Sequence, residues 1–334
     1  MRERGILRRS LGWLGVIAAM LVILAAVIVG IARLLLPLAP EYQDEIRRLV
    51  TEATGFDVRF ETLRASWPLP GPQIRFSNVR IAVLEDQREL LHARDLTVGI
   101  NLWRVMVDRQ VRPGRIAVEG ANLKAERSAD GEWVINGVPL SDLLRRPRQQ
   151  ELPHLDLTLR DVGLLLLDQS RLEPRIALEV RKLELELTPE FASFDGELRG
   201  HEGLGARIEA VGVLPMSLLP SGITSVGPPS RRELAWDIQV AGADLDVARW
   251  LRVVANEPLP LVGGRGDLEL QASFHGSTAL SVVVDLDLGP TGWAGVPAAD
   301  NDFHRLQLEA AWERTAHGWT GTLDRFRVER STGG

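Results

Sequence analysis

The feature that most constrains this chain is a stretch without charged side chains near the N-terminus, residues 11–32. As an α-helix at ~1.5 Å per residue it would be roughly 33 Å long, close to the ~30 Å hydrocarbon thickness of a bilayer. The stretch is longer than the apolar core of a cleaved signal peptide, and a helix inside a soluble core is rarely so long and uninterrupted. We therefore predict an uncleaved, single-pass transmembrane anchor over residues 11–36.

The flanks of this stretch predict its orientation. Residues 1–10 contain four arginines and one acidic residue, whereas Glu41, Asp44 and Glu45 follow the span. Because basic residues are retained on the cytoplasmic side, we expect residues 1–10 to be cytoplasmic and the bulk of the chain to lie across the membrane.

The charge and the absence of cysteine exclude several classes of site. Residues 1–33 carry five arginines and one glutamate, so the formal charge of -6 for the whole chain leaves -10 for the remainder. An acidic surface argues against a nucleic acid partner. With no cysteine in the sequence, neither disulfides nor thiolate metal sites hold this region together.

Two segments have the periodicity of short amphipathic helices. In residues 40–54 apolar side chains fall on one helical stripe, with acidic residues in the first turn. Residues 244–256 show a similar stripe, and Asp244 is the predicted N-cap.

From residue 56 onward the period changes to two, which is typical of half-buried strands. Apolar residues alternate with Asp, Glu, Arg, Lys and Thr, so each strand has one apolar and one polar face, and antiparallel pairing is the natural reading. The residues that we expect to line an apolar groove are Leu155, Leu157, Leu159, Ile176, Leu178, Val180, Leu183, Leu185, Leu187, Leu268, Leu270, Val282, Val284 and Leu286.

A local unit also recurs along the strands. Alternating apolar residues lead to Asn or Asp and then an apolar residue, at Asn78-Val79, Asn122-Leu123 and Asp161-Val162. Asp130 to Trp133 and His317 to Trp319 have the composition of hairpin turns. Such repetition indicates an elongated sheet.

Signals for catalysis are weak. The pair His201-Glu202 lacks the second histidine of a zinc helix, and neither Lys124 nor Lys182 has a serine three residues before it. The glycine-rich runs 200–205 and 263–266 lack the Gly-Lys-Ser/Thr of a phosphate loop. We predict no enzyme activity and no catalytic, cofactor or metal site.

The order of these features resembles the N-terminal part of the AsmA-like family, specifically its YhdP type, with a dense match over residues 1–140. The motifs that carry the resemblance are Thr54-Gly55-Phe56-Asp57-Val58, Leu63-Arg-Ala65-Ser-Trp67, Gln73-Ile-Arg-Phe76-Ser-Asn78-Val79, Asp95-Leu-Thr-Val98-Gly-Ile100-Asn-Leu102-Trp103, Arg115-Ile-Ala-Val118-Glu-Gly120-Ala-Asn-Leu123, Arg127 and Asp130-Gly-Glu-Trp133-Val-Ile135.

The resemblance implies a mainly β protein of the bridge-like lipid transport type. Its expected fold is a single N-terminal transmembrane helix followed by an elongated, curved antiparallel β-sheet that forms a groove, with a few short helices. Residues 37–140 would be the AsmA-like N-terminal β region with its short amphipathic helix, and residues 141–334 a continuing repetitive β-groove that is truncated at the C-terminus.

The same resemblance implies a location and a cargo. The chain would be anchored in the bacterial inner membrane with its bulk in the periplasm, and it would assist phospholipid transport toward the outer membrane and so maintain the cell envelope. Two alternatives stay open at this point. Alternating strands also occur in a sandwich whose apolar faces cover each other, and an anchored scaffold would act through periplasmic or outer-membrane protein partners.

Overall fold

A computed structural model describes fifteen parts of the chain: residues 30, 43–54, 56–67, 71–84, 87–100, 113–128, 132–139, 155–168, 175–188, 190–201, 204–215, 235–254, 261–276, 278–294 and 303–330. Among these residues no helix is both long enough and apolar enough to cross a bilayer. The anchor predicted at 11–36 lies outside the described residues except for Gly30.

The fold is mainly β, as predicted, and the described strands form one open, curved sheet of 18 strands. The first seven strands are β1 Phe56–Arg59, β2 Thr62–Ser66, β3 Gln73–Val83, β4 Glu89–Ile100, β5 Pro113–Arg127, β6 Trp133–Ile135 and β7 Val138–Pro139.

The remaining eleven strands complete this sheet. They are β8 Leu155–Asp168, β9 Arg175–Leu187, β10 Phe191–Gly200, β11 Arg207–Pro215, β12 Ala235–Asp246, β13 Leu261–Gly263, β14 Arg265–His275, β15 Thr278–Leu288, β16 Thr291–Trp293, β17 Phe303–Thr315 and β18 Gly318–Arg330.

Twelve strands form the main ladder, in the order β3, β4, β5, β8, β9, β10, β11, β12, β14, β15, β17, β18. At one edge β1 and β2 both pair with β3, and at the other edge β18 pairs with β17. A sandwich would need two facing sheets, whereas the described strands belong to one.

The prediction of a purely antiparallel sheet is wrong at one position. Strands β5 and β8 pair in parallel, with Val118 opposite Leu159. The chain between them contains the short hairpin β6–β7, and β6 extends β5 on the side where β4 pairs. Side-chain alternation is the same in parallel and antiparallel strands, so the sequence pattern carried no signal for this pairing.

The apolar runs 176–180 and 183–187 both belong to strand β9. The alternation changes phase at Arg181 and Lys182, which are both exposed.

Apart from the single residue Gly30, the described part of the chain contains two helices, α1, Gln43–Thr54, and α2, Val247–Val254. Both were predicted, but the proposed cap of α2 is wrong. Asp244 lies within β12 at a φ of 54°, and the side chain of Asp246 accepts a hydrogen bond from the backbone N–H of Arg249 at 3.0 Å. Asp246 therefore caps the first turn of α2.

Candidate functional site

The most extensive feature of the molecule is a row of apolar residues that crosses the sheet without losing register. One residue of each strand in the main ladder takes part, and each is paired with the next. This first row consists of Phe76, Leu96, Val118, Leu159, Leu183, Gly196, Ala210, Val240, Leu270, Val284, Ala310 and Leu323.

A second row runs parallel to the first, two residues away along each strand and therefore on the same face. Its members are again apolar on every strand. They are Ile74, Val98, Ile116, Leu157, Leu185, Phe194, Gly212, Ile238, Ala272, Val282, Trp312 and Gly321.

The opposite face of the sheet is polar. The row that pairs next to the first row lies one position away along each strand, or two positions on β18, where the pairing is irregular, and it points to that face. All but one of its residues are polar or charged. They are Ser77, Asp95, Glu119, Arg160, Lys182, Glu197, Glu209, Ala241, Glu269, Asp285, Glu309 and Arg325.

Ion pairs between neighbouring strands hold this polar face together. The guanidinium of Arg75 donates to Asp95 at 3.0 and 3.2 Å, and its hydrogen bond lowers the pKa of the Asp95 carboxyl. Arg305 likewise donates to Asp287 and lowers the pKa of that carboxyl to about 2, with a further hydrogen bond from Gln307 at 2.9 Å.

On five neighbouring strands the alternation slips along one line, which we call the crease. At the crease each strand directs two consecutive residues to the polar face, and Asn78, Gly120 and Asp161 have φ values of 53°, 66° and 50°. The residue pairs that form it are Ser77 and Asn78, Arg94 and Asp95, Glu119 and Gly120, Arg160 and Asp161, and Arg181 and Lys182.

The side chains behind the crease, on the apolar face, are small and fully covered. The positions next to it are Val79, Ala93, Ala121, Val162 and Val180, each between 0% and 2% exposed. Irregular pairing of this kind bends a strand. Small buried side chains on one side and two outward residues on the other indicate that the strands bend here with the apolar face inside.

The crease, and the line that extends it in register across β10–β18, where the alternation is regular as far as β17, divide the apolar face into two walls. Wall 1 consists of the first and second rows. Wall 2 lies on the other side of the line, and its members on the strands from β8 to β17 include Leu164, Leu166, Ile176, Leu178, Leu198, Ile208, Leu268, Leu286, Leu288, Leu306 and Leu308.

All fourteen residues that the sequence suggested as groove lining lie on the apolar face. Nine of them belong to wall 1 or continue it along the same strands: Leu155, Leu157, Leu159, Leu183, Leu185, Leu187, Leu270, Val282 and Val284.

The other five lie on wall 2 or at its edge, and they are part of packed cores. Ile176 and Leu178 are buried among Leu204 and Leu288, and Val180 is buried in the cluster behind the crease. The remaining two, Leu268 and Leu286, are half-buried and pack against the same core as Ile176. Contact of any of the fourteen residues with a lipid stays a prediction.

Wall 2 is covered by a group of residues that we call the plug: Leu204, Leu245 and helix α2. Leu204 and Leu245 are 1% and 3% exposed, and Val247 of α2 is buried with them. No pattern in the sequence indicates this role, because these residues come together only when the loop before β11 meets the end of β12.

At the opposite ends of the ladder the apolar face differs in exposure. Around β1–β3 a cluster that includes Phe60, Leu63 and Phe76 is buried, and the rings of Phe60 and Phe76 lie 5.0 Å apart. On β18, by contrast, Leu323 and Phe326 are 60% and 62% exposed. The face is thus closed beside α1 and open at β18.

Within the described part of the chain, no three His, Asp or Glu residues are grouped so that they could hold a metal ion. The titratable groups discussed above form ion pairs on the polar face, away from the apolar rows.

Comparison with known proteins gives the family. The model of the family described as "YhdP protein" matches residues 1–333. The chain is also 33% identical to the "Intermembrane phospholipid transporter YhdP" of Escherichia coli (strain K12) over 101 residues, which are 30% of this chain and 8% of that protein. No solved structure matches the chain significantly. The sequence resemblance is therefore confirmed, and the chain belongs to the YhdP family.

Proposed function

We propose that this chain is a membrane-anchored β-groove protein that binds the acyl chains of phospholipids and assists their transport toward the outer membrane. The observation that carries the proposal is the pair of apolar rows that keep register over twelve strands. Membership of the YhdP family and the name of the E. coli relative support phospholipid as the cargo.

The mechanism is passive and needs no covalent step. Each methylene exposed to water costs ~0.8 kcal/mol. The transfer of one long acyl chain through water therefore meets a free-energy barrier on the order of 10 kcal/mol. Acyl chains against an apolar wall avoid most of this cost while the head group stays in water. At ~4.8 Å between strands, twelve strands offer a path of roughly 50 Å.

The proposed location follows from the flanks of the apolar stretch and from the family. Residues 11–36 would anchor the chain in the inner membrane, with residues 1–10 cytoplasmic and the sheet in the periplasm. Helix α1 follows the anchor in the chain and packs beside β1, since the Arg47 guanidinium lies 5.4 Å from the centre of the Phe60 ring. The start of the sheet would therefore lie close to the bilayer surface.

A phospholipid with a photoactivatable group in its acyl chain tests the proposal. The full chain is irradiated in vesicles that contain this lipid, and the adducts are mapped by mass spectrometry. We expect adducts on residues of the apolar rows and background levels on the neighbouring polar row.

Adducts spread equally over both faces would overturn the proposal. A sheet free of lipid adducts would also overturn it, and would favour the alternative that the chain is a periplasmic scaffold acting through protein contacts.

A further inference from the structure

The two walls of the apolar face differ in what covers them. We infer that the acyl chain lies along wall 1 alone from β9 to β17, and that the plug closes wall 2 to lipid. This inference rests on the proposed function and narrows it to one side of the groove.

The cover of wall 2 is continuous. One core cluster contains Ile176 of β9, Ile208 of β11, Leu288 of β15 and Leu306 of β17, all buried together with plug residues. These strands span the ladder from β9 to β17, where wall 1 is apolar as well. An acyl chain on wall 2 would have to replace the side chains of the protein itself.

Polar contacts hold the plug in place. The indole N–H of Trp250 donates to the carbonyl of Leu204 at 2.9 Å, and the backbone N–H of Asp246 donates to the same carbonyl at 3.2 Å. The N–H of Val247 donates to the carbonyl of Gly264 at 3.0 Å. Because buried backbone groups must keep their partners, displacement of the plug would break all three bonds.

Among the described residues, wall 1 is covered less than wall 2 over these strands, although Val240 packs against the same core as wall 2 and Ala272 and Ala310 are 7% and 3% exposed. Leu185, Leu270, Val282 and Val284 are half-buried, and they belong to none of the three core clusters of the described residues. Leu270 pairs with Val284, and Val282 lies two residues along β15, so these three form a connected aliphatic surface. Leu185 lies in the second row on β9, and the same row joins it to Val282 through Phe194, Gly212, Ile238 and Ala272. Trp312 continues that surface on β17, opposite Val282.

A matched pair of leucines on β14 tests the inference. Leu270 lies on wall 1 and Leu268 on wall 2, two residues apart on the same face, and both are half-buried. A photo-crosslinking amino acid is introduced at each position in the full chain, in cells, and the irradiated protein is analysed for attached phospholipid. We expect phospholipid adducts at position 270 and only background levels of phospholipid adducts at position 268.

The outcomes separate the inference from the proposed function. Equal capture at both positions overturns the inference and leaves the proposed function standing, whereas no lipid at either position, or a protein adduct at position 270, overturns both. If the variant at position 268 does not fold, the adduct map of the unmodified chain decides. Lipid adducts on Leu286, Leu288 or Leu306 then overturn the inference.

Discussion

Walls 1 and 2 of the apolar face are built from the same kind of sequence and have different environments. Leu268 and Leu270 alternate with charged or polar neighbours on β14, and so do Leu286 and Leu288 on β15. Leu288 is nevertheless 0% exposed, while Leu270 is only half-buried. The alternation of apolar and polar residues shows which face of a strand is apolar. The residues that pack over that face decide whether it is a buried core or an open surface.

The largest expected effect separates the two walls by stability. Leu288→Ala removes a fully buried side chain beneath the plug, so we expect it to lower the free energy of unfolding by about 2–5 kcal/mol. Leu270→Ala, on the half-buried wall, should lower it by about 1 kcal/mol. Urea unfolding of the full chain, followed by circular dichroism, measures both. Equal losses would contradict the difference between the walls.

A smaller effect is expected where the plug meets β12. A Cβ atom at Gly242 would overlap Cδ1 of Leu245, so Gly242→Ala must displace a buried plug residue. We expect a loss of about 1–3 kcal/mol from this overpacking. Gly99→Ala is the matched control, because its nearest contact would be an ordinary 3.4 Å to the Cβ of Arg115. The same unfolding experiment distinguishes the two, and an unaffected Gly242→Ala variant would argue against a tightly packed plug.

The smallest effect concerns the polar face behind wall 2, where Asp287 lies between Leu286 and Leu288. Its pKa in the folded protein is lowered to about 2 from 3.8, chiefly by the hydrogen bond from Arg305. The ionised carboxylate therefore adds stability that is present above pH 3.8 and is lost as the pH falls toward 2. Because the side chain is partly exposed to solvent, the contribution is modest.

The pH dependence of the thermal midpoint measures this contribution. Between pH 4 and 2 the midpoint of Asp287→Asn should fall less steeply than that of the wild type. Parallel curves for the two proteins would show that the pair with Arg305 does not stabilise the fold.

The sequence predicted the strands and their apolar faces better than their three-dimensional arrangement. The alternation over 155–159 and 282–288 was enough to identify β8 and β15 and to state which residues share a face. The helix of residues 40–54 and the hairpin turn before Trp319 were also found, because both depend on local pattern.

In the sequence the crease appears only as the recurring unit in which Asn or Asp precedes an apolar residue, and that unit did not indicate a bend of the strands. Asn78 and Asp161 of that unit do adopt positive φ values, but on β5 the residue with this conformation is Gly120 and not Asn122. Positive φ is open to Asn, Asp and Gly alike, so the type of residue marks candidates without selecting among them.

The plug and the parallel pair could not be predicted, since both depend on contacts between distant segments. Leu204 meets Trp250 across 46 positions of the chain, and β5 meets β8 after the hairpin β6–β7. Neither contact leaves a periodic trace in the sequence.

The most direct test of the central claim uses two adjacent valines on β15. Val284 lies in the first row of the apolar face, and Val283 points to the polar face, where it is 42% exposed. Each is replaced by aspartate in the full chain, folding is checked by circular dichroism, and the phospholipid that co-purifies with each folded protein is counted by mass spectrometry. Our account predicts that Val284→Asp loses bound lipid while Val283→Asp keeps the wild-type amount. Equal amounts of lipid on the two variants would contradict it.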